Sequence, residues 1–150
     1  MKMVLSGVLG VVFSVIASTS TAANGVFYEC DMNSGHRETN WVANKTGFVV
    51  FSNGAVTVVD QWVMHFMGGP QKARVRKLNG GKLRINWNLT DIENSNGQKM
   101  APNNYSALLN TKSKTVRITV SSSAYSGARI TGTGRCQVRS ELPRIVGKGS

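Results

Sequence analysis

The chain has 150 residues, of which 41% are hydrophobic and 17% charged, with 18 Lys and Arg against 7 Asp and Glu. This length fits one domain, and no segment after the N-terminal region is apolar for long enough to cross a membrane as a helix. The formal net charge of +11 favours anionic partners such as nucleic acid, acidic glycans and lipid headgroups, but it carries no information about fold.

The first residues have the layout of a secretory signal peptide. Lys2 precedes an uncharged, mostly apolar run from Val4 to Ala17, and small residues at Ser20 and Ala22 suit signal peptidase. The run has about fourteen residues, fewer than the roughly 20 of a spanning helix. We therefore predict a signal peptide over residues 1–22 and export to the periplasm or the extracellular space; a retained anchor is the alternative.

The remaining chain shows no linker, which predicts a single domain over residues 23–142 and a flexible basic tail over 143–150. It holds two cysteines, Cys30 near its start and Cys136 near its end. Because exported proteins meet oxidising conditions, we predict one disulfide between them, with two free thiols or an intermolecular bond as alternatives. The cysteines and histidines lack the close spacings of zinc sites, so we expect no metal ion.

Apolar and polar residues alternate at a period of two along most of this domain, which predicts an all-β fold. The clearest hairpin runs from Phe48 to Asp60, where Asn53-Gly54 is typical of a two-residue type I′ turn. That turn places four apolar residues on one face in two pairs, Phe51 with Val56 and Val49 with Val58.

The same alternation continues beyond Asp60 through Trp62, Met64 and Phe66. We therefore expect the second strand to run on, with a bend near Asp60, until Gly68-Gly69-Pro70 ends it.

A second hairpin spans Lys72 to Asn88 around Asn79-Gly80-Gly81. A two-residue loop would place Arg76 opposite Ile85 and mix core with surface, so we predict a three-residue loop that pairs Val75 with Ile85. The outer side then carries cations without an acidic residue and is a candidate anion-binding face, made of Lys72, Arg74, Arg76, Lys82 and Arg84. The alternative is a solvated surface that only keeps the protein soluble.

A third hairpin joins residues 105–109 to residues 116–120 through a turn at Thr111–Lys114. Its predicted pairs are Leu109 with Val116, Ala107 with Ile118, and Tyr105 with Val120.

The first and last strands carry the two cysteines on their inward faces. Cys30 follows Val26 and Tyr28 on one side of the first strand, and Cys136 shares a side of the last strand with Ile130, Gly132, Gly134 and Val138. A disulfide between these faces would close an antiparallel sheet. We therefore predict an up-and-down β-barrel of about eight strands, with a β-sandwich as the alternative.

The inward glycines of the last strand would permit sharp coiling or leave room for a ligand. In the second case the cavity wall would include Tyr28, Trp62, Phe66 and Trp87, which suit a small apolar molecule. A filled core is the alternative.

The sequence holds no nucleophile elbow, zinc-protease helix, phosphate-binding glycine loop or cofactor fingerprint, and we expect no cofactor. A small secreted hydrolase or nuclease could still use His36, Glu38 and His65 as general acid and base. Ordinary surface or packing roles are commoner for such residues.

Tyr28-Glu-Cys30, the cysteine of the final strand and Ser126-Gly-Ala-Arg129 resemble the small barrel inhibitors of C-type lysozyme found in bacterial envelopes. The resemblance implies a barrel whose Ser-Gly-containing loop enters the lysozyme cleft.

These features together predict an exported, non-enzymatic binding protein. Its partner would be an anionic or amphipathic molecule of the envelope or exterior, such as anionic lipid, glycan or nucleic acid. A lysozyme inhibitor and a secreted hydrolase or nuclease are the alternatives. The sequence does not indicate an oligomeric state.

Overall fold

The structure, a computed structural model, describes residues 24–34, 41–122 and 129–141. The predicted signal peptide and the predicted basic tail lie outside these residues. Within the described ranges, no helix is long and apolar enough to span a membrane.

The fold is a closed barrel of antiparallel strands in chain order. Each strand pairs with the next, and the last pairs with the first. The predicted all-β up-and-down barrel of about eight strands is confirmed, and the sandwich alternative is excluded. The strands are β1 (Gly25–Asn33), β2 (Lys45–Phe51), β3 (Val56–Asp60), β4 (Gln71–Leu78), β5 (Lys82–Leu89), β6 (Asn103–Asn110), β7 (Thr115–Ser122) and β8 (Arg129–Arg139).

The barrel interior is packed with the inward side chains of the alternating strands. Phe48, Ile85, Leu109 and Ile118 are almost completely buried there. The Trp87 ring stacks on Tyr105 with a centroid distance of 4.9 Å. Full burial of each such side chain stabilises the fold by about 1.5–3 kcal/mol, so this interior is the main source of stability.

The seam between β1 and β8 is covalently closed. Cys30 lies directly opposite Cys136 in the ladder, and the two form a disulfide between residues separated by 106 positions. The predicted disulfide and the predicted neighbourhood of the first and last strands are both confirmed.

Two predicted registers are also confirmed. In β4–β5, Val75 lies opposite Ile85 across a three-residue loop at Asn79–Gly81, where both glycines have positive φ. In β6–β7, the pairs are those the alternation predicted, Leu109 with Val116, Ala107 with Ile118 and Tyr105 with Val120.

The register predicted for β2–β3 is wrong by one residue. Val50 rather than Phe51 lies opposite Val56, and Phe48 lies opposite Val58. The loop is longer than a type I′ turn, since the Phe51 N–H donates to the Ala55 carbonyl at 2.9 Å. Only Gly54 in this loop has a positive φ, at +86°.

The segment after Asp60 is a helix, α1 (Gln61–Met67), so the predicted continuation of the strand is wrong. The Asp60 carboxylate caps it by accepting the N–H groups of Trp62 at 2.9 Å and Val63 at 2.8 Å. Gly68, with φ of +71°, ends it. Alternation was misleading because Trp62 and Phe66 are also four residues apart, the spacing of neighbours on one helix face.

One end of the barrel is covered by α1 together with residues 41–44 and 90–102. Trp41 contacts both Trp62 and Phe66, with ring centroids 5.5 and 6.2 Å apart, and its carbonyl accepts the Tyr105 hydroxyl at 2.9 Å. The β3–β4 ladder is the shortest in the barrel, running from Val56 opposite Ala73 to Val58 opposite Gln71, and α1 lies in the chain between its two strands.

Replacing both cysteines by alanine should lower the free energy of unfolding by about 2 to 5 kcal/mol, because the unfolded chain regains the entropy that a long covalent loop removes. Urea unfolding with and without reductant measures this. Reductant should destabilise the natural protein to the level of the Cys30→Ala/Cys136→Ala variant and leave the variant unchanged. Equal stability of the oxidised protein and the variant would contradict the closing role of the bond.

Burial raises the pKa of Asp60 above its ordinary value of 3.8, although the two backbone N–H groups act to lower it. A raised folded-state pKa means that the Asp60 contribution to stability is full below about pH 3.8 and is lost as the pH rises through the folded-state pKa. Asp60→Asn keeps an acceptor oxygen without the charge. The stability of the natural protein relative to this variant should therefore fall as the pH rises.

Urea unfolding of both proteins from pH 3 to 7 measures the difference. Asp60→Ala is the control: it should be about 0.5–2 kcal/mol less stable than Asp60→Asn at every pH, because neither variant titrates at position 60 and only the cap is lost. If the natural protein instead became more stable relative to Asp60→Asn as the pH rose, ionised Asp60 would stabilise the helix and the prediction would be wrong.

Candidate functional site

The cations predicted on the β4–β5 hairpin all lie on its outer side and are exposed. Arg76 is directly opposite Arg84, and Arg74 is opposite Asn86. Lys82 follows the loop, and Lys72 lies opposite Thr57 of β3. The five side chains therefore lie along the outer surface of one hairpin, and their anion-binding role stays a prediction.

The outer surface of the next strands extends this group. Leu108 of β6 lies between Arg84 and Arg117, and Ser121 of β7 lies opposite Arg129. The strands β4 to β8 contain no aspartate or glutamate. We call this outer surface the basic face, and its cations are Lys72, Arg74, Arg76, Lys82, Arg84, Arg117, Arg129 and Arg135.

Sequence reasoning missed Arg117, Arg129 and Arg135. Each of these arginines alternates with inward residues of β7 or β8, and this alternation could have placed it on the outer surface. Their grouping with the hairpin cations became apparent only from the order and register of five neighbouring strands.

A groove of about 660 Å³ runs across the basic face. Its floor is made of small amide and hydroxyl side chains from adjoining strands, with Asn86 opposite Ser106 and Ser106 opposite Thr119. We call it the polar groove. Four arginines surround this floor: Arg84 and Arg117 beside Leu108, Arg74 on β4 and Arg129 on β8.

The arginines of the polar groove have no carboxylate partner among the described residues, where the ion pairs lie around β1. Lys45 pairs with Glu29 and Asp31 at 3.4 and 3.2 Å, and Arg139 pairs with Glu29 at 2.9 Å. The hydrogen bond from Arg139 is the main cause that lowers the pKa of Glu29. The acidic charge of this region is thus matched locally and does not neutralise the groove.

Within the described parts of the chain, no aromatic ring lies on the outer side of the basic face. Trp87 and Tyr105, the aromatic residues in the sequences of β4 to β8, are both buried in the barrel and stack on each other. Burial raises the pKa of the Tyr105 phenol, and the nearby Asp60 acts in the same direction. This tyrosine is therefore neutral at physiological pH and adds no charge beneath the groove.

The four residues predicted to line an internal cavity divide into two groups. Tyr28 and Trp87 belong to the barrel interior, whereas Trp62 and Phe66 lie on α1 at the covered end. The space expected beside the inward glycines is filled by the chain itself. A Cβ at Gly132 would lie 2.8 Å from Val42, and one at Gly134 would lie 2.5 Å from the Asp31 carbonyl oxygen.

The residues of the two alternative functions are only partly described. His36, Glu38 and Ser126 lie outside the described residues. His65 is exposed on α1, with its ring edge against Phe66 at a centroid distance of 4.7 Å. In the described part of the chain, no group of three His, Cys, Asp or Glu residues could hold a metal ion.

Comparisons of the chain with protein-family models, with curated proteins and with solved structures found no match.

Arg84→Gln should raise the free energy of unfolding at low salt by about 0.2 to 1 kcal/mol, because Arg84 faces the like charge of Arg76 across the ladder. Urea unfolding at about 20 mM and about 500 mM NaCl measures the effect, which screening should remove at the higher concentration. Arg139→Gln is the matched control. It breaks an ion pair with Glu29 and should change stability slightly in the opposite direction. A loss of stability in Arg84→Gln would show that Arg84 has a favourable partner.

Proposed function

We propose that this chain is an exported, non-enzymatic binding protein whose basic face holds an anionic partner of the cell envelope or exterior. One observation carries the proposal: four arginines surround a single polar groove, and none has a carboxylate partner in the described part of the chain. Like charges that face each other across a ladder, as Arg84 of the groove and Arg76 do, destabilise the folded protein, and an anion bound beside them would reverse that effect.

Arginine is well suited to this role. Its planar guanidinium donates two parallel hydrogen bonds to a carboxylate, sulfate or phosphate, and it stays charged at any physiological pH. Because several such groups act on one ligand, binding should depend strongly on salt, since each contact displaces counterions from a polyanion.

The scaffold supports binding at a fixed geometry. The groove floor is built on β-strands rather than loops, and side chains on strands of a packed barrel hold their spacing better than side chains on loops. The disulfide is consistent with an oxidising compartment, where an envelope or extracellular partner would be met.

The alternatives gain no specific support from the described residues. A lysozyme inhibitor with the positive charge of this chain would be repelled by C-type lysozymes, which are themselves basic, and its encounter rate would fall. For a hydrolase or nuclease, the described residues contribute only the exposed His65 of the proposed acid and base groups.

Charge reversal in the polar groove tests the proposal. Arg117→Glu should weaken binding of dextran sulfate by about tenfold or more, since hydrogen bonds to charged groups contribute about 1.5–3 kcal/mol. Isothermal titration at about 50 and about 200 mM NaCl measures the affinity, which should fall steeply with salt for the natural protein.

Lys99→Glu is the matched control, because it makes the same change in net charge at an exposed position between β5 and β6. It should bind nearly as well as the natural protein. If the natural protein does not bind at low salt, or if both variants lose the same affinity, the groove is not the binding site.

A further inference from the structure

We infer that the partner is an acidic polysaccharide, a sugar chain bearing carboxylate or sulfate groups, that lies in the polar groove across β5, β6 and β7. This inference rests on the proposed function and narrows its ligand class. The argument depends on how charged, neutral and aromatic side chains are distributed over the groove.

In the groove, the charged side chains and the neutral hydrogen-bonding side chains occupy different positions. Arginines stand at its margin, whereas the floor presents the amide of Asn86 and the hydroxyls of Ser106 and Thr119 in one row. Amides and hydroxyls both donate and accept hydrogen bonds. A ligand that matches this pattern has anionic groups at intervals and many neutral hydroxyls between them, which is the chemistry of an acidic sugar chain.

Nucleic acid fits the groove less well. Proteins that bind single strands combine cations with aromatic rings on which the bases stack. The aromatic residues of β4 to β8, Trp87 and Tyr105, are turned into the barrel. Phosphates could contact the arginines, but among the described residues the bases would find no exposed ring to stack on, since Tyr105 borders the groove with its side chain buried.

A lipid surface is also a poorer match. Interfacial binding needs apolar side chains that enter the membrane boundary in addition to cations. In the groove, the apolar side chain on the outer surface is Leu108, which is half-buried between Arg84 and Arg117. The exposed valines, Val26 and Val138, lie on β1 and at the end of β8 and do not line the groove.

The dimensions suit a chain rather than a single ion. Arg74 on β4 and Arg129 on β8 are four strands apart around the closed barrel, which is about 19 Å along its curved surface at about 4.8 Å for each strand. One carboxylate or sulfate cannot reach both margins. A chain of several sugars can contact both and cover the neutral floor between them.

The experiment compares four probes on the oxidised protein lacking residues 1–22: dextran sulfate, polygalacturonate, single-stranded oligothymidine and phosphatidylglycerol vesicles. Dextran sulfate carries sulfate groups and polygalacturonate carries carboxylates, so the two probes show which anionic group the groove prefers. At about 150 mM salt, at least one polysaccharide should bind more tightly than oligothymidine at equal total charge, and the vesicles should bind weakly.

A charge-neutral variant then tests the floor. Asn86→Ala/Ser106→Ala should lower polysaccharide affinity about five- to tenfold, because two neutral hydrogen bonds are lost, and should leave oligothymidine affinity unchanged. Ser95→Ala, at an exposed position outside the groove, is the matched control and should change neither. If the double variant does not fold, Thr119→Val removes a floor hydroxyl from β7 and gives the same comparison.

The possible outcomes distinguish failure of the anion-binding function from failure of the polysaccharide inference. If no probe binds at any salt concentration, the proposed function itself is wrong. If all probes bind according to charge alone and the floor variants change nothing, the anion-binding function stands and the polysaccharide inference is overturned. Tighter binding of oligothymidine or vesicles also overturns it and assigns the face to that other class of partner.

Discussion

The pairing of β1 with β8 is the constraint on which the rest of the structure depends. Every other pair of neighbouring strands is also adjacent in sequence, whereas this pair joins the two ends of the domain through the Cys30–Cys136 bond. Closure removes both free sheet edges, which would otherwise be open to pairing with other chains. It also fixes which outward side chains become neighbours, because the strands pair in chain order around the axis and the last strand meets the first.

Closure also separates the charges of the molecule. The carboxylates of β1, the half-buried Glu29 and the exposed Asp31, lie near the seam and are matched by Lys45 and Arg139. The arginines of β4 to β7 lie away from it and are left with one another. Their mutual repulsion is small beside the burial of the interior, so the barrel can hold an unneutralised surface without losing its fold.

The sequence was informative where only one face of a strand is apolar. In β4–β5, arginines alternate with Val75 and Ile85, so only one register keeps the cations outside. In β2, by contrast, residues 48–51 are all apolar, and alternation cannot say which of them point inward. The helix α1 was missed for a related reason, because Trp62 and Phe66 satisfy both a strand period and a helix period. The capping by Asp60 was the signal that separates the two.

The candidate site was predictable in part. The hairpin cations follow from one local register, whereas the polar groove needs the outward residues of five strands placed side by side. Arg117 and Arg129 belong to strands that are distant in sequence from β4 and β5, so their relation to Arg84 depends on the barrel order and on the register of every intervening pair.

The β3–β4 ladder has the fewest residue pairs of the seams around the barrel. Segments held by few backbone hydrogen bonds open at a lower free energy than the rest of a domain, whereas the β1–β8 seam is covalently held. Arg74 stands on β4 beside the weaker seam, and Arg129 stands on β8 beside the disulfide-bonded one. The β8 margin of the groove is therefore held by full ladders on both sides and by a covalent bond, whereas the β4 margin relies mainly on its ladder with β5.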